Sequence, residues 1–261
     1  DSTGHFHPDA IERTLAAVDI YAAEIARKGV ERIRFCATSA TRDAANRDLF
    51  IDGVKERLGV SPEVISGEEE ATLSFLGATR DLPRNQAPFL VVDIGGGSTE
   101  FVIGTDSVEH AKSVNIGCVR MTERHFADGY SDTARDYAIA DIDAAIAEAA
   151  EIVPMTTATS LIAVAGTATT VAAAALNLPE YDRYSIHLAR IPAARVHDVS
   201  TMFLSMSREQ RAALGYMHEG RVDVIAAGSL VLSRIMHATQ AQEFIASETD
   251  ILDGIAWSLA R

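Results

Sequence analysis

FLVVDIGGGSTEFVI, residues 89–103, decides the reading of this chain: three glycines stand between two apolar runs, with Asp93 on one side and Glu100 on the other. Each flank is rich in β-branched and aromatic residues and has strand length, and residues 95–98 are short enough to turn an antiparallel hairpin. A Walker loop needs a lysine after its glycines and a dinucleotide fingerprint opens a helix, whereas here the chain continues as a strand. Glycines without Cβ let successive backbone N–H groups converge on an anion, and an aspartate at the strand end is placed to hold Mg²⁺ beside it. The stretch therefore reads as a phosphate loop. Gly95, Gly96, Gly97 and Ser98 are its N–H donors, the Ser98 hydroxyl adds another, and Asp93 and Glu100 form the Mg²⁺ side. The competing reading is a tight turn whose glycines only supply positive φ.

With 261 residues, 48% of them hydrophobic, the chain has enough apolar material for one large domain or two smaller ones. The net charge of -14 disfavours nucleic acid and anionic membrane as partners, because both require clustered Lys and Arg. It does not exclude a phosphate site, since metal ions, backbone amides and a few local arginines bind phosphate inside an acidic protein. Cys36 and Cys118 show no CxxC spacing, and no HExxH or other metal-ligand spacing involves the eight histidines. A reducing cytoplasm is the expected compartment. No apolar run nears the ~18 residues of a membrane span, and no charged-then-apolar leader is present. The sequence opens on Asp1 rather than methionine, so its natural start is expected further upstream.

Periodicity predicts a helix over 7–28, a strand over 31–38, and a helix from residue 39 through Asn46 and Phe50. A short strand at 63–66 and a helix at 68–77 follow, ahead of the glycine hairpin and further strand. Beyond them come an alanine-rich helix at 132–153, a buried strand at 161–165 and a helix from Gly166 to Leu176. The remainder is mainly helical, at 195–206, 208–214, 222–237 and 251–260, with one strand at 243–246. The order long helix, strand, helix recurs, with ATSAT at 37–41 in the first copy and AGTATT at 165–170 in the second. A duplicated fold accounts for it, and completing the symmetry calls for roughly fifty residues upstream that include a second hairpin.

Two local patterns have chemical readings. Glu68, Glu69 and Glu70 follow Gly67 at a helix start, where carboxylates complement the macrodipole and any one of them is placed to orient a water; spacing alone does not choose among them. Gly166 and Thr167 stand where a strand meets a helix, a position suited either to a second phosphate or to an ordinary threonine N-cap. Surface pairing is the stronger reading for Arg120, Arg124 and Arg221.

Four segments, ATSATRDAAN (37–46), ISGEEEA (65–71), VDIGGGSTE (92–100) and VAGTATT (164–170), resemble the exopolyphosphatases and guanosine pentaphosphate phosphohydrolases of the actin-like, sugar kinase and heat-shock chaperone superfamily. IGCVRMTE (116–123) and GRVDVIAAG (220–228) are weaker echoes. The resemblance implies an α/β protein of two ribonuclease H-like domains with an interdomain phosphate cleft. The first would be 1–75 with the closing helix 250–261, lacking its N-terminal strands in this chain, and the second 76–249. The family motif Ser-Gly-x-Glu-Glu-Ala places the catalytic base at Glu70, with Glu69 the near alternative. It adds Ser39 and Arg42, at the equivalent turn of the first copy, to Gly166 and Thr167 as phosphate contacts. Implied with it are Mg²⁺ as cofactor and release of terminal phosphate from inorganic polyphosphate, with guanosine pentaphosphate as the alternative substrate. An ATP-binding kinase-like or sensor domain of the superfamily is the rival class, against which ISGEEEA stands. The acidic surface and the short form favour short polyphosphates, and a homodimer is left open. ILDG (251–254) departs from the family's Leu-Arg-Glu-Gly, with Leu252 in place of the arginine.

Overall fold

The structure, a computed structural model, describes residues 4–260, with the side chains of Ser39 and Asp43 outside that description. The chain forms two compact units, Asp1–Glu70 with Ile255–Arg261, and Ala71–Gly254.

In the smaller unit, α1 (Pro8–Lys28) starts with proline in its first turn, has the His7 side chain accepting the Asp9 N–H, and stops at Gly29 with φ 63°. Next come β1 (Cys36–Ala37), α2 (Ser39–Asp43), α3 (Arg47–Leu58) and β2 (Glu63–Val64). Val18 of α1 packs with Ala37, Phe50 and Val54, and helices α1 and α3 meet closely: a Cβ at Gly53 would lie 2.6 Å from Leu15 Cδ1. The strand expected over 31–38 shortens to two residues, paired in parallel with β2 at Cys36↔Glu63 and Ala37↔Val64. A strand persists only where a neighbour accepts its hydrogen bonds, and β2 offers two residues of ladder. The helix expected from 39 through Phe50 breaks in two because Asn46 is used elsewhere. Its side-chain amide brackets Phe6, accepting from the Phe6 N–H (2.8 Å) and donating to the Phe6 carbonyl (3.0 Å).

Helix α4 (Gly67–Thr79) leads into the larger unit. There β3 (Phe89–Ile94), β4 (Thr99–Gly104) and β5 (Val108–Val114) form an antiparallel meander, followed by α5 (Cys118–His125) and α6 (Asp132–Ala150). Then come β6 (Ser160–Val164), α7 (Ala165–Ala175), α8 (Arg183–Ile186), β7 (Arg190–Pro192) and α9 (Ala193–Ser205). The unit closes with α10 (Arg208–Ala212), α11 (Ile225–Thr239), β8 (Glu243–Ala246) and the start of α12 (Ile251–Ser258). Among the described residues the sheet has six strands in the order β5-β4-β3-β6-β8-β7, with β3, β6 and β8 parallel.

Strand β3 is buried on both faces, which is why it reads as an unbroken apolar run rather than an alternation. Leu90, Val92 and Ile94 join the larger core beneath α5, α6, α7, α9 and α11. Phe89 and Val91 join Ala71, Phe75 and Ala78 of α4 on the other face. The repeat is visible in the pairing: β6 follows α6 and precedes α7 as β1 follows α1 and precedes α2, and each pairs in parallel with a later strand, β6 with β8 and β1 with β2. No helix among the described residues is long and apolar enough to cross a membrane.

Candidate active site

The residues singled out between 93 and 100 and at 166–167 lie together in the larger unit. Asp93 is in register with Val164 of β6, so the hairpin and the first turn of α7 leave adjacent strands at their C-terminal ends, where open α/β sheets bind ligands. The hairpin closes with the Gly95 N–H donating to the Ser98 carbonyl (3.0 Å).

The loop's remaining carbonyls are taken by the start of α5. Gly95 O accepts from Cys118 N (2.9 Å), Gly96 O from Val119 N (2.9 Å) and Arg120 N (3.1 Å), and Gly97 O from Gly117 N (3.2 Å) and Arg120 Nε (2.7 Å). In a trans peptide N–H and C=O point oppositely, so turning these three carbonyls toward α5 turns the N–H groups of Gly96, Gly97 and Ser98 away from it. Backbone N–H groups left facing outward in this way are donors that an anion can take up. Positive φ is not why glycine stands at 95 and 96, since neither adopts it. The crowded glycine is Gly117, where a Cβ would sit 2.4 Å from Gly96 C and O.

Asp93 and Glu100 are cross-strand partners and therefore share one face of the sheet. Asp93 is half-buried and accepts from Ser74 Oγ at 3.3 Å. Glu100 is 9% exposed, and its Oε1 accepts from both Ser98 Oγ (2.6 Å) and Ser113 Oγ (2.7 Å). The Ser98 hydroxyl, expected as a further donor to phosphate, is directed here to Glu100. The donor set suits Mg²⁺, which takes one or two carboxylates and keeps much of its water. Of the two, Asp93 is the less buried, and Glu100 is bonded by two serine hydroxyls. No cluster of three or more His, Cys, Asp or Glu side chains suited to a metal occurs among the described residues.

At the second turn, Thr167 is not an N-cap. Val164 occupies that position, Ala165 follows with φ 65°, and Thr167 lies inside the first turn of α7. Its side chain is buried against α11, where a Cβ at Gly228 would meet Thr167 Oγ1 at 2.7 Å and Cys118 Cβ at 3.0 Å. What Gly166 and Thr167 present is their backbone N–H groups, among those that a helix start leaves without intrahelical partners. Burial pushes the Cys118 thiol up, against the weaker pull of the Thr167 hydroxyl beside it, so this cysteine stays protonated and inert.

One cation was undervalued in the sequence. Arg221 is not a surface-paired residue: it forms no ion pair with a carboxylate among the described residues, and its Nε would lie 2.5 Å from a Cβ at Gly166. Its Nη1 donates to Thr170 Oγ1 (3.0 Å), and its guanidinium carbon stands 5.7 Å from the centre of the Tyr181 ring. The echo GRVDVIAAG at 220–228 was the available signal, but only folding sets Arg221 beside the Gly166 turn. Arg124, by contrast, does pair on the surface, with Asp141.

In the smaller unit the three glutamates separate. Ser66 Oγ accepts the Glu69 N–H (3.1 Å), as an N-cap serine does. The Glu69 side chain is bound by Arg34, which also holds Glu63. These two carboxylates, Glu63 foremost, drive the Arg34 guanidinium even further above its ordinary value. Glu70 is more buried, 16% exposed at its side chain against 44% for Glu69, and receives Arg42 Nη1 at 3.2 Å. The same nitrogen donates to the Ile65 carbonyl at 2.7 Å. Arg42, expected as a phosphate contact, is thus placed as the partner of Glu70. The side chain of Ser39 lies outside the described residues.

Comparison with known proteins agrees across the whole chain. The model of the Ppx/GppA phosphatase family matches residues 1–261. Exopolyphosphatase 2 of Mycobacterium tuberculosis is 42% identical over 273 aligned residues, covering 100% of this chain and 85% of that protein. The crystal structure of an exopolyphosphatase-like protein matches with a TM-score of 0.95 and 43% identity, over 99% of this chain and 87% of that one. The Aquifex aeolicus Ppx/GppA family member matches with a TM-score of 0.81 and 26% identity, over 99% and 83%. The α/β architecture described above is the actin-like ATPase fold of these proteins, and the chain belongs to the Ppx/GppA phosphatase family.

Proposed function

We propose that the protein is a Mg²⁺-dependent exopolyphosphatase that releases terminal phosphate from inorganic polyphosphate, with Glu70 orienting the attacking water. The observation that carries the reading is the orientation of the glycine hairpin, whose carbonyls are fixed to the start of α5, which turns the amides of Gly96, Gly97 and Ser98 away from that helix. Such preorganised donors need not reorganise as charge builds on the transferred phosphoryl group. The N–H groups of Gly166 and Thr167 bind a further phosphate, and Arg221 adds positive charge at the same turn. When bound, Mg²⁺ would neutralise phosphate charge; Asp93 would hold it, and Glu100 would keep the loop in place through Ser98.

Glu70 is favoured over Glu69 because Glu69 belongs to the Arg34 cluster, whereas Glu70 is oriented by a single arginine that is itself anchored on Ile65 O. The net charge of -14 favours short polyphosphates over long ones, since an acidic chain disfavours the broad basic track that a long polyanion needs.

The test is phosphate release from polyphosphates of graded length, with guanosine pentaphosphate as competitor, for the unaltered protein and for Glu70→Gln and Glu69→Gln. Loss of a general base typically costs 10²–10⁴-fold, so Glu70→Gln should lower kcat by about that factor and Glu69→Gln by far less. Unchanged turnover in Glu70→Gln removes it from the role. Preferential cleavage of guanosine pentaphosphate replaces the substrate assignment.

A further inference from the structure

We propose that Tyr181 is a positioning residue for the phosphate site, acting through Arg221; the inference rests on the reading of the Gly166 turn as a phosphate subsite. Arg221 is held on three sides within the larger unit. The Tyr181 ring lies 5.7 Å from its guanidinium carbon, Thr170 Oγ1 accepts from its Nη1 at 3.0 Å, and the Cβ-less face of Gly166 lets its Nε come close. Thr170 is fixed in turn, since its hydroxyl donates to the Gly166 carbonyl at 2.7 Å. Tyr181 is fixed from the far end, its hydroxyl donating to Glu248 Oε1 at 2.5 Å, while the Glu248 N–H donates to His187 Nδ1 at 3.2 Å.

This arrangement has a physical logic. An arginine meant to bind an anion cannot be restrained by a carboxylate without surrendering its charge to it. An aromatic face and a hydroxyl orient a guanidinium while leaving its net charge available. The carboxylate of the network, Glu248, is bound to the phenol hydroxyl, one residue removed from the cation. The ring therefore orients Arg221, and the Tyr181–Glu248 hydrogen bond orients the ring.

The experiment is calorimetric binding of inorganic tripolyphosphate together with steady-state hydrolysis, for Tyr181→Leu, Tyr181→Phe and Tyr181→Trp, each in the native and the Arg221→Gln background. Removing the ring should weaken tripolyphosphate binding and raise KM by about three- to tenfold while kcat stays within about twofold. Phenylalanine, which keeps the ring but loses the bond to Glu248, should restore the affinity in part, and tryptophan, the better ring for a cation, should bind at least as well as phenylalanine. In the Arg221→Gln background all three substitutions should be without effect, because the interaction they alter is gone. Equal losses in both backgrounds, or a Tyr181→Leu protein that binds like the unaltered one, overturn the inference alone. Absence of tripolyphosphate binding by the unaltered protein overturns both the functional reading and the inference. If Tyr181→Leu does not fold, Tyr181→Phe decides the matter: it should bind less tightly than the unaltered protein when Arg221 is present and no differently from its background when Arg221 is replaced.

Discussion

Gly117→Ala tests the hairpin geometry most directly. The backbone there, φ -72° and ψ 160°, suits alanine as well as glycine, so any cost is steric. The added methyl would lie 2.4 Å from the carbonyl carbon and oxygen of Gly96 and 2.6 Å from the carbonyl carbon of Gly97. These are backbone atoms with no rotamer by which to yield, so loop and helix must part by about 1 Å to reach ordinary contact distances. That retreat carries bonds such as Cys118 N to Gly95 O and Val119 N to Gly96 O, both 2.9 Å, beyond hydrogen-bond range. Losing two or three such bonds at about 1 kcal/mol each gives a destabilisation of about 3 kcal/mol, at the upper end of ordinary overpacking. For a unit the size of Ala71–Gly254 this lowers Tm by roughly 6–12 °C. Because the same movement displaces the donors, kcat for phosphate release should fall about 100-fold. Gly96→Ala is the control: its methyl meets the Val119 side chain at ordinary contact distances, Cγ2 at 3.4 Å and Cβ at 3.9 Å, so stability should stay within about 1 kcal/mol of the parent. Thermal melts and phosphate release measured side by side decide it. A Gly117→Ala protein with parental Tm and turnover would refute the packing of the loop against α5, and with it the direction assigned to the loop amides.

Three further outcomes are expected. Ala165→Gly relieves a left-handed alanine at φ 65° and should stabilise by about 0.5–1 kcal/mol after glycine's entropic cost is subtracted, read as a higher urea midpoint; an unchanged or lower midpoint counts against strain at this turn. Burial would raise the Asp141 carboxyl, but hydrogen bonds from His125 and Arg124 outweigh it and hold Asp141 below the usual range. Its stabilisation is therefore complete above the unfolded-state value of about 3.9 and fades as pH falls through the lower folded value, so the stability gap between the parent and Asp141→Asn, open at neutral pH, should close in acid. A gap independent of pH contradicts that assignment. Chelation of Mg²⁺ should abolish phosphate release, and Asp93→Asn should raise the Mg²⁺ concentration giving half-maximal rate more than Ser74→Ala, which removes only one 3.3 Å hydrogen bond to Asp93. Equal metal dependence in both variants removes Asp93 as the holder of the metal.

Much of the architecture was legible before folding because it follows from local rules. The strands β3 and β4, the three-glycine turn between them and the helices at 8–28 and 132–150 are written in runs of β-branched residues, in glycine and in helical spacing. The misreadings lie where a distant partner decides. Residues 31–38 have strand composition, yet only two of them find a ladder. Asn46 has no local reason to interrupt a helix, but its amide is occupied by Phe6, forty residues earlier.

The same division runs through the site. Sequence alone marked a glycine turn at 95–98, an acidic helix start at 68–70 and a repeated helix, strand, helix order, because glycine content, charge and period are properties of short segments. The tertiary structure decided which way the loop faces, since its carbonyl partners come from α5, more than twenty residues on. It decided that the Ser98 hydroxyl is committed to Glu100, that Arg34 engages Glu69 and Arg42 engages Glu70, and that Arg221 lodges against Gly166 with Tyr181 at its side. Hydrogen-bond direction and charge pairing depend on positions in space, and a linear pattern does not contain them until the chain has folded.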